Sequence, residues 1–359
     1  MSSPHLVFVT RGLHDGGGTE RVTSFVASSL AERGYLVSIV CLQRGRGTYF
    51  PLSEKVKVYY LRKSFCWNKI HELKAIYKRI KPDLIFAVGT NRSHLHLFAS
   101  KGYPLVSWEH FNTAVCSHPF HQLSRCLASK RGWIITLTEE DASSYRKRWK
   151  AKRVVTIPNP LTIKGLYREE KEHKCVLAVG RLQKAKGFDR LLRAWQKVHL
   201  SFPSWRLRIV GSGSEEKSLK ALCSQLGLDE SVEMIPHQAD VKPYFAKADI
   251  FALSSRYEGF GLVLIEAFAA GLPAVAFDVP RGPREIMDTS SCGIMVEEGN
   301  IEAYATALKK LIGNRTLRLE MGMNAKARSE DFLPERVIDL WQNFINHLLD
   351  NSESFDGNH

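Results

Sequence analysis

No stretch of the 359-residue chain holds about 18 consecutive apolar residues, so the sequence contains no candidate transmembrane helix. The first apolar run, Leu6-Val-Phe-Val9, is too short for the core of a secretory signal, and the protein is expected inside the cell. Seven cysteines, scattered from Cys41 to Cys292, include no Cys-x-x-Cys pair, and reduced, buried thiols are their expected state. His94 with His96 and His118 with His121 are short-spaced pairs without a third ligand at metal-site spacing, which argues against zinc. No Asp-x-Asp occurs, and that removes a common carboxylate pair for a metal-bound substrate. Low complexity and solenoid repeats are missing too.

Carboxylates are scarce in the first half. Residues 1–165 carry 26 Lys or Arg against 10 Asp or Glu, whereas residues 166–359 carry 25 against 27, so the net charge of +14 belongs entirely to the first half. Two segments supply much of it. One is Arg62 to Lys81, where Lys63, Lys69, Lys74, Lys78 and Arg79 interleave with Trp67, Ile70, Leu73 and Tyr77; the other is Arg146 to Arg153, around Trp149. A basic amphipathic helix with aromatics suits an anionic membrane surface, through charge and shallow apolar insertion. Nucleic acid is the competing partner, and a solvated helix face is the bland alternative.

The length fits two domains of about 150 to 180 residues. Short apolar runs alternate with helical patterns in both halves. In the first half they are His5–Thr10, Leu36–Leu42, Val56–Leu61, Leu84–Val88, Leu105–Trp108, Trp133–Leu137 and Val154–Ile157. Pro158-Asn-Pro160 then closes the series, and the pattern restarts at Cys175–Val179. It continues through Leu207–Val210, Val232–Ile235, Ile250–Leu253, Ala274–Phe277 and Gly293–Val296. Such alternation predicts two α/β units, each a parallel sheet covered by helices on both faces. The expected domains are 1–165 and 166–334, followed by an amphipathic helix over 335–350 and a disordered tail, 351–359.

The densest chemistry lies in Arg256-Tyr-Glu-Gly-Phe-Gly-Leu-Val-Leu-Ile-Glu266, between two apolar runs. Ligands of open parallel sheets bind at the carboxyl ends of strands, which places Glu258 in a ligand-facing loop and Glu266 about one turn into the next helix. The amides of Gly261 and Leu262 open that helix and suit a phosphate. Gly180-Arg-Leu-Gln-Lys-Ala-Lys-Gly187 follows another strand and sets Arg181 and Lys186 at the same sheet edge, where two cations can stabilise a departing diphosphate. Lys184 is the decoy, and solvated loop cations are the ordinary explanation of any one of them. Gly16-Gly-Gly18 after the first strand lets amides approach a phosphate or sugar oxygen, although a tight turn needing positive φ explains the glycines as well. Arg21 stands where a dinucleotide fingerprint needs its third glycine. Glu109-His110 ends a strand of the first sheet, where His110 either binds a hydroxyl or is structural. Gly211-Ser-Gly213 carries little functional weight, and a salt bridge or cap would account for Arg284 and Glu285.

Together Gly17-Gly-Thr-Glu-Arg-Val22, Glu109-His110, Gly180-Arg-Leu with Lys186-Gly187, Gly211-Ser-Gly213, Glu258 to Glu266 and the Gly-Pro-x-Glu-Ile run at Gly282 resemble the GT-B glycosyltransferases, in particular retaining family 4 (glycosyltransferase group 1). The resemblance implies two Rossmann-like doubly wound domains facing across a cleft. It implies metal-independent transfer of a hexosyl or N-acetylhexosaminyl group from a nucleotide sugar, most often a UDP-sugar, with retained configuration and no cofactor. By position, Arg181 and Lys186 would bind the diphosphate, Gly261 and Leu262 the phosphate by their amides, Glu266 the ribose and Glu258 the sugar. Gly17 and Gly18 would approach the donor, and His110 would line the sugar pocket, acting with Glu258 in catalysis. The final helix would cross back to the first domain. His237 departs from the pattern, standing where many relatives have glycine near the base.

No residue reads as a covalent nucleophile, so same-face substitution is the expected mechanism. The expected setting is surface polysaccharide or lipopolysaccharide biosynthesis, with a lipid-linked oligosaccharide as acceptor. The protein would sit peripherally on the cytoplasmic face of the membrane, its basic first domain against the anionic surface, with no nucleic-acid partner. A sugar-nucleotide epimerase of the same architecture and a non-catalytic binding module are the alternatives.

Overall fold

The computed structural model describes residues 3–43, 45, 47–62, 66–90, 96, 98–115, 118–287 and 291–350. The chain divides into two compact units, Met1–Thr162 with Pro334–His359, and Ile163–Leu333. Lys63, His94 and the tail 351–359 lie outside the described residues.

The first unit contains β1 (His5–Thr10), α1 (Gly18–Glu32), β2 (Leu36–Cys41), β3 (Val56–Tyr60), α2 (Cys66–Ile80), β4 (Leu84–Val88) and β5 (Leu105–Trp108). It continues with α3 (Pro119–Arg131), β6 (Trp133–Thr136), α4 (Glu139–Arg148) and β7 (Val154–Thr156). Its seven strands are parallel, in the order β3-β2-β1-β4-β5-β6-β7. Strands covered on both faces need apolar residues at every position, and all of β4, Leu-Ile-Phe-Ala-Val, is buried. The order reverses between β1 and β4, which opens a crevice at the carboxyl ends of those strands.

The second unit repeats the design with β8 (Cys175–Val179), α5 (Phe188–His199), β9 (Arg206–Val210), α6 (Glu216–Gln225), β10 (Val232–Ile235), α7 (Lys242–Ala246) and β11 (Ile250–Leu253). Then follow α8 (Leu262–Ala269), β12 (Ala274–Asp278), α9 (Pro283–Met287), β13 (Gly293–Glu297), α10 (Ile301–Gly313) and α11 (Arg315–Ser329). Its six parallel strands run β10-β9-β8-β11-β12-β13, with the reversal between β8 and β11. Leu191, Leu192, Trp195 and Val198 of α5 meet Val176, Leu207 and Ile209 of the sheet in one core.

The last helix, α12 (Pro334–Asp350), is part of the first unit. Val337, Ile338, Trp341, Phe344, Ile345 and Leu348 recur at helical spacing and are all buried. Trp341 packs its ring against Phe8, Phe86 and Trp108, at centroid distances of 6.1, 5.4 and 4.6 Å. Arg33, just beyond α1, pairs with Asp339 at 2.6 Å and donates to Gln342 at 2.7 Å, and the Tyr35 hydroxyl donates to Asn346 at 2.8 Å.

Two expectations for a membrane-facing surface are corrected here. Ile70, Leu73 and Tyr77 of α2 are core residues, leaving Trp67 as the large apolar side chain of that helix in solvent. Trp149 is likewise buried, packed with Ala128, Ile134 and Tyr145, while Arg125 and Arg148 lie over its ring. Of the aromatic and aliphatic residues expected on those surfaces, Ile70, Leu73, Tyr77 and Trp149 complete the core, and Trp67 is exposed.

Candidate functional site

In the second unit the loops leaving β8 and β11 are joined backbone to backbone. The Arg256 amide donates to the Ala185 carbonyl at 2.8 Å, and the Ser254 hydroxyl donates to the Lys186 carbonyl at 2.9 Å. Such closeness requires glycine at 187. Its φ is +64°, and a Cβ there would stand 2.1 Å from the Ser254 carbonyl oxygen. Gly211 and Gly213 serve the next crest, where a Cβ would meet the Gly180 carbonyl at 1.9 Å and the Leu182 carbonyl at 2.3 Å. These two glycines thus carry more of the loop architecture than their common motif suggests.

This stitching brings Lys186 to Glu258. The Lys186 ammonium donates to Glu258 Oε1 at 2.6 Å, and the Ser255 hydroxyl donates to the same oxygen at 2.6 Å. Glu258 is 7% exposed and Lys186 24%, so the carboxylate is recessed while the cation reaches solvent. Arg181 is exposed in the same loop. Gly261, with φ +105°, caps α8, and Leu262 is that helix's first residue. The amides opening α8 lack intrahelical acceptors and point their positive dipole end out of the helix. Glu266 follows one turn in and is buried. The α8 end is held by Gly282, where φ is +44° and a Cβ would lie 2.0 Å from the Phe260 carbonyl. Arg284 pairs with Asp278 at 2.8 Å, the structural explanation anticipated for it.

Three supports were missed in the sequence. Asp189 receives both guanidinium nitrogens of Arg256, at 2.7 and 2.6 Å, and Arg256 Nη1 also donates to the Lys184 carbonyl at 2.8 Å. Burial opposes ionisation of Asp189, yet the Arg256 fork outweighs it and holds the carboxyl below its ordinary range. Ser255 is the third, adjoining Glu258 through a hydroxyl that a strand-end Ser-Ser pair only hints at.

In the first unit Gly17 caps α1 and Gly18 begins it. Gly17 has φ −86°, and none of Gly16, Gly17 and Gly18 has positive φ, so the tight-turn explanation fails. Local packing is tight instead, since a Cβ at Gly17 would stand 2.3 Å from a Glu20 carboxylate oxygen and one at Gly16 would stand 3.0 Å from the Tyr49 ring, at the start of a 15-residue helix. Glu109 is committed internally. Its carboxylate accepts from Arg125 Nε at 2.7 Å, from the Tyr145 hydroxyl at 2.8 Å and from the Phe111 amide at 3.0 Å, and also from the Thr90 hydroxyl. Burial raises its pKa, but the Arg125 charge and these hydrogen bonds win, leaving it below the usual carboxylate range.

His110 is the other half of the Glu109-His110 pair. Its ring lies 4.3 Å, centroid to centroid, from that of Trp108, and its Nε2 is buried with no hydrogen-bond partner among the described residues. Burial pushes the imidazole down to about 4, against the opposing pull of the Glu109 charge. A neutral ring offers one donor and one acceptor nitrogen, which suits a hydroxyl. His118 instead caps α3, its Nδ1 accepting from the Phe120 amide at 3.3 Å. Among the described residues no cluster of three His, Cys, Asp or Glu could hold a metal.

Comparison with known proteins follows the same division. A family model described as glycosyl transferases group 1 matches residues 162–328, and one described as glycosyltransferase family 4 matches residues 16–164. An uncharacterized glycosyltransferase of Haemophilus influenzae is 33% identical over 94% of this chain and 99% of its own. The amylovoran biosynthesis glycosyltransferase AmsD of Erwinia amylovora is 29% identical over 95% of this chain and 99% of its own. Among solved structures, Anabaena HepE in complex with UDP and glucose superimposes with a TM-score of 0.80 at 19% identity, over 96% of this chain and 100% of that one.

Proposed function

Since the chain belongs to the group 1, family 4 glycosyltransferases and has their GT-B fold, we propose that it transfers a sugar from a UDP-sugar to a hydroxyl of a lipid-linked glycan during surface polysaccharide synthesis. The observation that carries the reading is the Lys186–Glu258 pair at 2.6 Å, set at the reversal of the second sheet beside the opening of α8. In this reading the ammonium and Arg181 neutralise the diphosphate as it leaves, and the amides of Gly261 and Leu262 hold its phosphate. Glu266 binds the ribose, and Glu258 the hydroxyls of the transferred sugar. Gly17 and Gly18 contribute amides to the donor, and His110 hydrogen-bonds the sugar through its neutral ring.

The acceptor attacks from the face the diphosphate vacates, with retention, and the diphosphate oxygen takes the acceptor proton. That order needs no covalent nucleophile and no metal. The AmsD likeness supports the surface-glycan setting, and the UDP of the HepE complex supports the donor. The basic charge of residues 1–165 supports peripheral association with the anionic cytoplasmic face of a membrane.

A panel of nucleotide sugars, incubated with lipid-linked acceptors in EDTA, tests this through nucleotide release, product mass and the anomeric coupling of the product. Release of UDP is expected only with acceptor, and Glu258→Gln or Lys186→Ala should each cut kcat by about 100-fold. Wild-type turnover by both variants would refute the site. Donor consumption without acceptor would point to epimerase chemistry.

A further inference from the structure

We propose that α3 is the element that inserts into an anionic bilayer, which deepens the membrane reading above and rests on it. The apolar faces of the basic segments first expected in that role belong to the core, whereas α3 turns its large apolar residues outward. Phe120, Leu123 and Leu127 are 45, 55 and 37% exposed and recur at spacings of three and four, so they form one stripe along the helix. The loop before α3 adds Phe111 and Val115, 47 and 45% exposed. The buried residues of the helix are Ser124, Arg125, Ala128 and Ser129. Small and polar residues therefore face the protein, while leucine and phenylalanine face water, an inversion with no folding benefit.

Charge selects the occupant. No Asp or Glu occurs between Glu109 and Glu139, a stretch that includes all of α3. Lys130 follows Leu123 by seven residues and Arg131 follows Leu127 by four, so both exposed cations extend the apolar stripe at the helix end. The Arg125 charge is already committed to Glu109. An apolar stripe continued by cations, in a stretch of sequence without Asp or Glu, matches a helix lying at the headgroup boundary of a negatively charged leaflet. The same loop begins at His110, so anchoring α3 would hold that residue close to the surface that carries a lipid-linked acceptor.

The test is flotation of the full chain with phosphatidylglycerol and with phosphatidylcholine vesicles, comparing wild type, Leu123→Ser/Leu127→Ser, and Trp67→Ser on α2. All three positions are exposed, and unchanged melting curves will show that the folds are intact. Wild type should float with the anionic vesicles only, the double variant should lose at least about tenfold in partition, and Trp67→Ser should stay within about twofold. Turnover of a short-chain, water-soluble acceptor should be equal in all three. Wild type that fails to float overturns the membrane reading and this inference together. Wild type that floats, with a double variant that floats equally, overturns only the assignment to α3. Sedimentation showing a dimer that the double variant abolishes would assign the stripe to a second copy and also overturn it.

Discussion

Replacement of His110 by glutamine should change how stability depends on pH, by an amount the structure sets. In the unfolded chain the imidazole titrates near 6.5, whereas in the fold burial holds it down to about 4. Between those values the unfolded state binds a proton that the folded state refuses, so stability falls as pH falls. At pH 5.0 the unfolded ring is almost fully protonated and the folded ring about one-tenth, a difference of about 2 kcal/mol, while at pH 7.5 the contribution nearly vanishes. Glu109 does not confuse the comparison. Its folded pKa is depressed, so its contribution is present above about 4.5 and is lost only as pH drops through its lower folded value. Opening free energies of β1, β4 and β5 peptides, read by hydrogen exchange at pH 7.5 and 5.0, should therefore fall about 2 kcal/mol further in the wild type than in His110→Gln. Equal losses would refute the claim that the ring is neutral in the fold. They would also remove the case for His110 as a neutral partner of a sugar hydroxyl.

Other consequences are equally direct. Glu109→Gln leaves the Arg125 guanidinium buried without its carboxylate and should cost about 3–5 kcal/mol in denaturant unfolding of the first unit. Gly187→Ala forces a Cβ against the Ser254 carbonyl at a left-handed φ, so the second unit should lose about 2–5 kcal/mol and donor binding by calorimetry should weaken with it. Trp341→Ala empties the ring cluster of Phe8, Phe86 and Trp108 and should destabilise the first unit by about 3–5 kcal/mol, read by hydrogen exchange of β1, β4 and β5 peptides, while β8 and β11 peptides of the second unit keep their protection. Dialysis against EDTA should leave kcat unchanged; a rate restored only by Mg or Mn would contradict metal-free transfer.

Much of the fold was legible because parallel strands buried on both faces need uninterrupted apolar residues. Leu84–Val88, Cys175–Val179 and Ile250–Leu253 have the bounds that their apolar runs predict. The helix α11 was invisible to that reasoning. Its fully buried residues are Arg318, Gly322, Ala325 and Ser329, and Leu317 and Met321 are only partly buried against the core, so its hydrophobic stripe is weak, and Gly322 is needed where a Cβ would stand 2.4 Å from the Gly271 carbonyl. The α2 helix and the segment around Trp149 show why an apolar pattern alone misassigns a surface: it reports that one side is apolar, not which body that side meets. Within the candidate site, Lys186, Glu258 and Glu266 could be read from strand-end positions and charge. The Arg256–Asp189 fork could not, because it joins residues 67 apart through a contact that only the finished loops create.

The chain's order of synthesis has a consequence for α12. Pro334–Asp350 completes the first core, yet it is translated after every residue of the second unit. A growing polypeptide must therefore carry Phe8, Phe86 and Trp108 with one wall missing while Ile163–Leu333 emerges and closes on itself. Birth order and folding order are inverted, and the half-built first lobe is the nascent surface a chaperone would be expected to shelter.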